Sequence, residues 1–330
     1  MTAFIARRLL LTVPLLLVVT FVSFVAVDLM PGDYVTRLEA RPDLSQETVE
    51  RYREQFGLDR TVWVRYTLWL SNIVTRGDFG TSFQTSLPVF DTLFLGGRLG
   101  RTLLVSGTTL LFMWAVAVPL GVAVASRQHG WIDQAVAMGA FATLSIPGFV
   151  LGVVLLWLLA GPLHAGSIGL GVGGLMDRVY VGEPLSWGKL GNLLWHLWPI
   201  WIAAGLSGAA GLLRYARGSL LDELQQQYVL AARARGLSEH RVLYGHALRN
   251  ALLPLISILG MQLPRLVGGS LIVSIVFGLQ TVEGAFWLAI QRQDTYVILG
   301  GLLFFGGLLA LGNLLADVLL AWADPRVHLE

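Results

Sequence analysis

Six stretches of apolar residues, each long enough to cross a bilayer, recur along the chain. A helix rises about 1.5 Å per residue, so roughly 20 apolar residues span the hydrocarbon core. Leu9 to Val27 is the first such stretch and carries no charge. Thr102 to Ser126 is the second. Gln134 to Gly161 is the third, and Pro147 with Gly148 inside it predicts a helix kink. Leu190 to Leu213 is the fourth, with His196 as its one titratable residue. Ala251 to Gly278 is the fifth, interrupted by Arg265. Thr295 to Ala316 is the sixth, and its apolar character continues past Asp317 to Ala323. The pattern predicts an all-α polytopic membrane protein with six transmembrane helices.

Arg7 and Arg8 precede the first stretch, as in a secretory leader. The apolar core of a leader is about 7–15 residues and ends at a small-residue cleavage site. This one is longer and ends in Val-Asp-Leu-Met-Pro, so it is read as a retained span. Residues 31–99 are polar enough to be solvated. Asp43 with Gln46 resembles a helix-start capping pair, and Gly57 fits a helix stop. Trp63, Tyr66, Trp69 and Leu70 then fall at helical spacing. That pattern suits an interfacial helix with its aromatics at headgroup level, or a docking platform for an external partner. The organisation expected is an N-terminal segment with the first span (1–30) and an extracytoplasmic helical segment (31–99). A core of five spans (100–323) follows, with a cytoplasmic loop at about 214–250, then a short cytoplasmic tail (324–330).

Composition agrees with a lipid environment. Of 330 residues, 55% are hydrophobic and 13% are charged, against about 25% charged in a soluble domain. With no cysteine, neither a disulfide nor a Cys-ligated metal is available. A net charge of +2 points to no nucleic-acid partner. The arginines do discriminate between the two sides. Arg7, Arg8, Arg127, Arg214, Arg217, Arg233, Arg235, Arg241, Arg249 and Arg326 fall on one side of a six-span arrangement. Arg178, Lys189 and Arg292 fall in the short loops of the other. The positive-inside rule makes the first side cytoplasmic, with both termini there.

The stretch Tyr228 to Pro254, "YVLAARARGLSEHRVLYGHALRNALLP", is basic and amphipathic yet flanked by spans. Ala231, Ala232 and Ala234 favour helix, Gly236 suits a left-handed C-terminal position, and Ser238 fits a second helix start. One reading is a basic helix lying on anionic lipid. The other is a protruding helix–turn–helix that seats in a groove of a cytoplasmic partner and passes that partner's movement into the fifth span.

At this loop the sequence resembles a known family. Ala231-Ala232, three residues, then Gly236 is similar to the EAA loop of ABC importer permeases, and the longer string resembles its dipeptide/oligopeptide/nickel class. "LLRYARGSLLDELQQQ", "LSIPGFVLG", "NLLADVLLAWADPRV", "ARRLLLTVPLLLVVTFVSFVAVDLMPGD" and "FGLDRTVWVRYTLWL" extend the resemblance over essentially the whole chain, in order. Departures exist. Leu230 stands where the acidic residue of the motif would be, and the proline of the wider consensus falls later, at Pro254. Arg101 and Arg265 stand where the family more often has small or polar residues.

The resemblance implies a type I ABC importer permease fold in a bacterial or archaeal cytoplasmic (inner) membrane. It implies a second homologous permease subunit, as a heterodimer, two ABC ATPase subunits, and an extracytoplasmic substrate-binding protein. The coupling loop would present Ala231, Ala232, Arg235, Gly236, Leu237 and Arg241 to an ATPase. ATP and Mg would be bound by those partner subunits, with no cofactor and no catalytic residue in this chain. A Walker A loop needs Gly, four residues, Gly, Lys, then Ser or Thr. The one lysine, Lys189, stands in "GEPLSWGKL", which has the wrong spacing and is followed by Leu. The function implied is half of a transmembrane pathway for uptake of peptides or a related small solute.

Charged residues at membrane depth are functional candidates. Arg265 is a candidate substrate-pathway residue, able to attract a carboxylate, or else the member of a structural ion pair. His196 is expected to be a hydrogen-bonded bundle residue, and Asp317 to face water or a neighbouring helix. No His, Asp or Glu pair stands at i, i+3 or i+4 within a span, which argues against an intramembrane metal. The glycines of the sixth span suit close packing or hinge motion. The alternatives are an ion-coupled secondary transporter, for which no midplane carboxylate is evident, and an intramembrane enzyme, for which no Ser-His spacing is evident.

Overall fold

A computed structural model describes residues 2–29, 46–55, 59–164, 166, 171–259, 262 and 271–323. In chain order the helices are α1 (Thr2–Asp28), α2 (Gln46–Gln55), α3 (Val62–Arg76), α4 (Val89–Phe94), α5 (Arg98–Ala125), α6 (Trp131–Ser145), α7 (Gly148–Ala160) and α8 (Trp187–Leu224). They continue with α9 (Gln227–Ala234), α10 (Glu239–Val242), a π-helical turn (Leu243–Ala247) and α11 (Leu248–Ala251). Then come α12 (Leu253–Leu259), α13 (Leu271–Val276), α14 (Val282–Gln291) and α15 (Thr295–Ala323). Among the described residues the extended pairing is one isolated bridge, Thr81 with Pro88.

Four helical stretches are long and apolar enough to span: Leu10–Asp28, Val89–Ala125, Trp187–Leu224 and Thr295–Trp322. Two bent pairs raise the number to six: α6 with α7, and Glu239–Ala251 with α12. The first and sixth predicted spans match closely, and the second lies at the end of the longer stretch Val89–Ala125. The third is a correction, because the expected kink is a break of 96° between α6 and α7. Pro147 is the extended N-cap of α7 there (φ −57°, ψ 133°), which ends helical geometry outright. A Cβ at Gly148 would run into the Ala203 carbonyl, so the glycine lets the broken span lie close on α8. The fourth predicted span lies within α8, which runs on from Leu213 to Leu224 because that segment contains no proline. The fifth is described at its two ends only. Arg265 lies outside the described residues, as do Asp43, Gly57 and Arg326.

The chain forms two compact units. One comprises Met1–Thr102 and Gln280–Ala310. In it Tyr66 and Trp69 of α3 are buried with Phe24 of α1 and Leu299 of α15. The Tyr66 hydroxyl donates to Leu17 O (3.0 Å) and lies 3.1 Å from Thr20 Oγ1, while Trp69 Nε1 donates to Phe79 O (2.9 Å). Asp28 pairs with Arg65. The aromatic stripe thus packs inward on α1; Trp63 alone stays 66% exposed, stacked on Phe21. A second cluster, around Val89, Leu93, Val282, Ala289, Val297 and Ile298, joins α4, α14 and α15. Thr102 Oγ1 donates to the buried Glu283 (2.7 Å) and accepts from Val282 N (3.0 Å). Arg101 donates to Gln280 O (2.8 Å) and Gly96 O, so this unexpected arginine ties the start of α5 to the turn before α14.

The other unit comprises Leu103–Leu279 and Leu311–Glu330. Its spine is α8, about 57 Å long at the usual rise. That exceeds the roughly 30 Å hydrocarbon core, so the helix is long enough to reach beyond both sides of it. Ser186 caps the first turn by accepting from Lys189 N (3.2 Å). Exposed tryptophans mark span ends: Trp131, Trp157, Trp187 and Trp322. Apolar clusters run along α8. Leu197, Ile200 and Ala203 pack with Val105 and Phe277; Leu212, Leu213 and Ala216 pack with Ala117 and Leu255; Leu220 packs with the loop described below.

Candidate functional site

The stretch after α8 folds as the two-helix loop expected. α9 stops at Gly236, which has φ +79°. Gly236 N donates to Arg233 O (2.9 Å) and Leu237 N to Ala232 O (3.3 Å). These two bonds are the Schellman pattern, which requires a left-handed residue after the cap and so favours glycine. Nothing would lie within 4 Å of a Cβ at Gly236, so the constraint is conformational rather than steric. Ser238 does occupy the N-cap of α10, but its side chain makes no capping hydrogen bond. The chain then passes through the π-helical turn, a geometry that recurs at functional sites.

An apolar cluster seats this loop. Val229, Ala232, Val242, Ala247 and Ala251 are buried against Leu220 of α8 and against Val122 and Ala125 of α5, with Leu237 packed on the edge. Each fully buried Val or Leu contributes on the order of 1.5–3 kcal/mol. Arg233 forms a bidentate pair with Glu239 across the turn (2.8 and 3.2 Å). That pair is exposed and is worth at most about 1 kcal/mol. The cluster, not the salt bridge, sets where the loop sits. Polar ties assist it. Tyr228 donates to Glu223 (2.5 Å) and accepts from Asn250 Nδ2 (3.0 Å), and Ser219 Oγ donates to Ala251 O (2.9 Å). The Tyr228 phenol is held above its ordinary pKa by burial and by Glu223.

The predicted contact residues divide. Ala231, Arg235, Gly236 and Arg241 are exposed together on the outer surface of the loop. Ala232 is 7% exposed and faces inward, and Leu237 is half-buried. Ala232 therefore positions the loop and does not belong to its outer surface. The reason is the helical period: adjacent residues point about 100° apart, so two neighbouring alanines cannot share one narrow face.

Sequence reasoning missed Asp133. It lies in the first turn of α6, accepts from Arg217 Nε and Nη2 of α8 (both 2.8 Å), and accepts from His129 N (3.0 Å). The pair spans 84 residues, and nothing local in the sequence marks it. His196 matches its expectation: it is buried, and its Nδ1 donates to Asn192 O (2.8 Å). Its Nε2 lies 3.6 Å from Asp177 Oδ1, and Asp177 in turn accepts from Asn192 Nδ2 (2.5 Å). Asp317 is half-buried on α15. Among the described residues no group of three His, Cys, Asp or Glu side chains is placed to hold a metal.

Comparison with known proteins agrees with this architecture. Residues 117–329 match the family of binding-protein-dependent transport system inner membrane components, and residues 1–106 match the N-terminal part of such membrane components. The oligopeptide transport system permease protein AppB of Bacillus subtilis (strain 168) is 36% identical, over 99% of this chain and 100% of the relative. The dipeptide transport system permease protein DppB of Escherichia coli (strain K12) is 30% identical, over 99% of both. The oligopeptide transport system permease protein OppB of Mycobacterium bovis is 32% identical over the whole of both chains. An ion-coupled secondary transporter is not favoured by these likenesses. With its apolar spans, its full-length relatives and its basic loop at the end of α8, this chain belongs to the family of binding-protein-dependent transport system inner membrane components, the permease subunits of ABC importers, which work with separate ATPase subunits and a substrate-binding protein.

Proposed function

We propose that this chain forms half of a membrane pathway for uptake of short peptides or a closely related small solute, paired with a second, homologous permease subunit as a heterodimer. ATP and Mg²⁺ are bound by the partner ATPases. The loop from Tyr228 to Ala251 seats in an ATPase groove, with Ala231, Arg235, Gly236 and Arg241 at the contact. One observation carries the coupling role: the loop's inner face is sealed by apolar packing onto α5 and α8, while its outer face is exposed. A push on that outer face is delivered to the ends of two long helices rather than absorbed locally. The arginine bias supports a cytoplasmic location for this face. Arg214, Arg217, Arg233, Arg235, Arg241 and Arg249 lie at the loop end of α8, and Arg178 and Lys189 at its other end. The names of the full-length relatives support peptides as the solute. Arg265 is retained as a pathway candidate.

The test is co-purification followed by reconstitution. The tagged chain is expected to bring down ATPase subunits and a second multi-span protein. The reconstituted complex with its binding protein is expected to take up alanine peptides only when ATP is supplied to the loop side. A chain that purifies alone and transports without ATP overturns the proposal.

A further inference from the structure

A cleft of about 610 Å³ opens between the loop-proximal part of α8 and the start of α12. That volume lies within the usual range for small-molecule sites, about 300–1,000 Å³. Arg214, Tyr215, Ser219 and Asp222 line its α8 wall, and Pro254 closes it from α12. The two residues carry opposite charges and stand eight residues apart on one helix, so their backbone positions differ by about 12 Å along the axis. Neither makes an ion pair among the described residues. Arg217, on the same stretch, is engaged by Asp133. The Arg214 guanidinium lies 5.2 Å from the Phe141 ring centroid, a contact made through its flat face that leaves its N–H edge available.

Gly211 and Gly218 form the floor of the cleft. Glycine inside a helix costs on the order of 1 kcal/mol relative to alanine. Neither residue has a positive φ, and a Cβ at either would meet no atom within 4 Å. Gly121 is different: a Cβ there would lie 2.8 Å from the Ala216 Cβ, so close packing accounts for it. Neither backbone conformation nor packing among the described residues accounts for Gly211 and Gly218. What their missing side chains do is keep the cleft open.

We infer that this cleft is a binding site for a short peptide with free termini, with the carboxylate on Arg214 and the ammonium toward Asp222. The inference rests on the peptide reading above and adds a location and a recognition chemistry to it. An extended residue spans about 3.3–3.6 Å, so three or four residues match the backbone offset between Arg214 and Asp222. An ethanolamine headgroup, with its phosphate and amine only two carbons apart, is too short to bridge them.

The experiment uses the purified complex in nanodiscs, without binding protein or ATP, and alanine peptides of two to five residues. The tri- and tetrapeptide are expected to bind best. Arg214→Ala is expected to weaken them about tenfold, the scale of one charge-assisted hydrogen bond. The C-terminal amide of the same peptide is expected to bind wild type about as weakly, with no further loss in Arg214→Ala. N-acetylation paired with Asp222→Asn is expected to behave likewise. Gly218→Leu is expected to abolish binding while the complex stays assembled. No detectable binding by wild type, equal affinity for free and blocked peptides, or wild-type binding by Gly218→Leu overturns the assignment. So does loss of the second permease from Gly218→Leu, which would make the cleft a subunit interface. ATP-driven uptake by the wild-type complex separates the two readings. If alanine peptides are taken up and the cleft variants bind normally, only the cleft assignment falls. If none is taken up while another solute crosses, the peptide reading falls too.

Discussion

Asp294 illustrates how much a single side chain can organise. It is 2% exposed, stands at the N-cap of α15, and accepts from Ser82 Oγ (2.6 Å) and more weakly from Gln84 N (3.4 Å). Burial pushes its carboxyl above the ordinary carboxylate range, against the lowering effect of these hydrogen bonds. A raised acid binds its proton more tightly in the native state than in the unfolded one. Its contribution to stability is therefore complete below the ordinary carboxylate pKa and is lost as pH rises through the native value. Thermal melts of wild type and Asp294→Asn should differ in wild type's favour most at acidic pH, and a gap independent of pH would refute this. Glycines of α15 offer a second residue-scale contrast. A Cβ at Gly301 would collide with the Phe286 ring, whereas one at Gly307 would meet nothing within 4 Å. Gly301→Val is expected to cost about 1–3 kcal/mol by overpacking. Gly307→Ala is expected to be neutral or stabilising by up to about 1 kcal/mol. Denaturant unfolding in detergent distinguishes these outcomes.

Among the elements, the α9–α10 turn carries the sharpest expectations. Gly236 is left-handed with open space around it, so Gly236→Val strains the backbone by about 1–2 kcal/mol without any clash. Uptake is expected to fall while membrane insertion is unaffected; normal ATP-coupled uptake would count against the coupling role. The neighbouring alanines should respond in opposite ways. Ala232→Trp forces bulk into the cluster around Leu220 and Val229 and is expected to lower the melting temperature. Ala231→Trp projects outward and is expected to leave the melting temperature unchanged while abolishing ATPase association. The motif was legible in the sequence because Ala and Gly preferences are local. Which alanine is exposed was not, since that depends on where α5 and α8 lie.

At the level of the whole molecule, Asp133 and Arg217 join α6 to α8 with side-chain exposures of 8% and 31%. The two partners should not cost the same to remove. Asp133→Ala leaves an arginine that water can still reach, for about 1–2 kcal/mol, whereas Arg217→Ala strands a buried carboxylate, for about 3 kcal/mol. Equal losses in thermal stability would show that the carboxylate is hydrated in the folded protein. The span pattern was legible from bilayer thickness alone, and four long helices with two bent pairs follow it closely. The 96° break at Pro147 was legible as a position but not as an angle. Proline removes a donor and restricts its predecessor, and the neighbouring helix then determines how far the chain turns.

The sequence by itself determined the helical class, the spans, the family and the place of the two-helix loop after α8. Each is written in local terms: length against membrane thickness, charge against the two sides, and the φ that Gly236 permits. Tertiary structure decided the rest. It turned Tyr66 and Trp69 inward onto α1, hid Ala232, paired Asp133 with Arg217, and left Arg214 and Asp222 facing an open cleft over two glycines. Those are contacts between residues far apart along the chain, and burial or pairing of that kind leaves no periodic signal in the sequence that makes it.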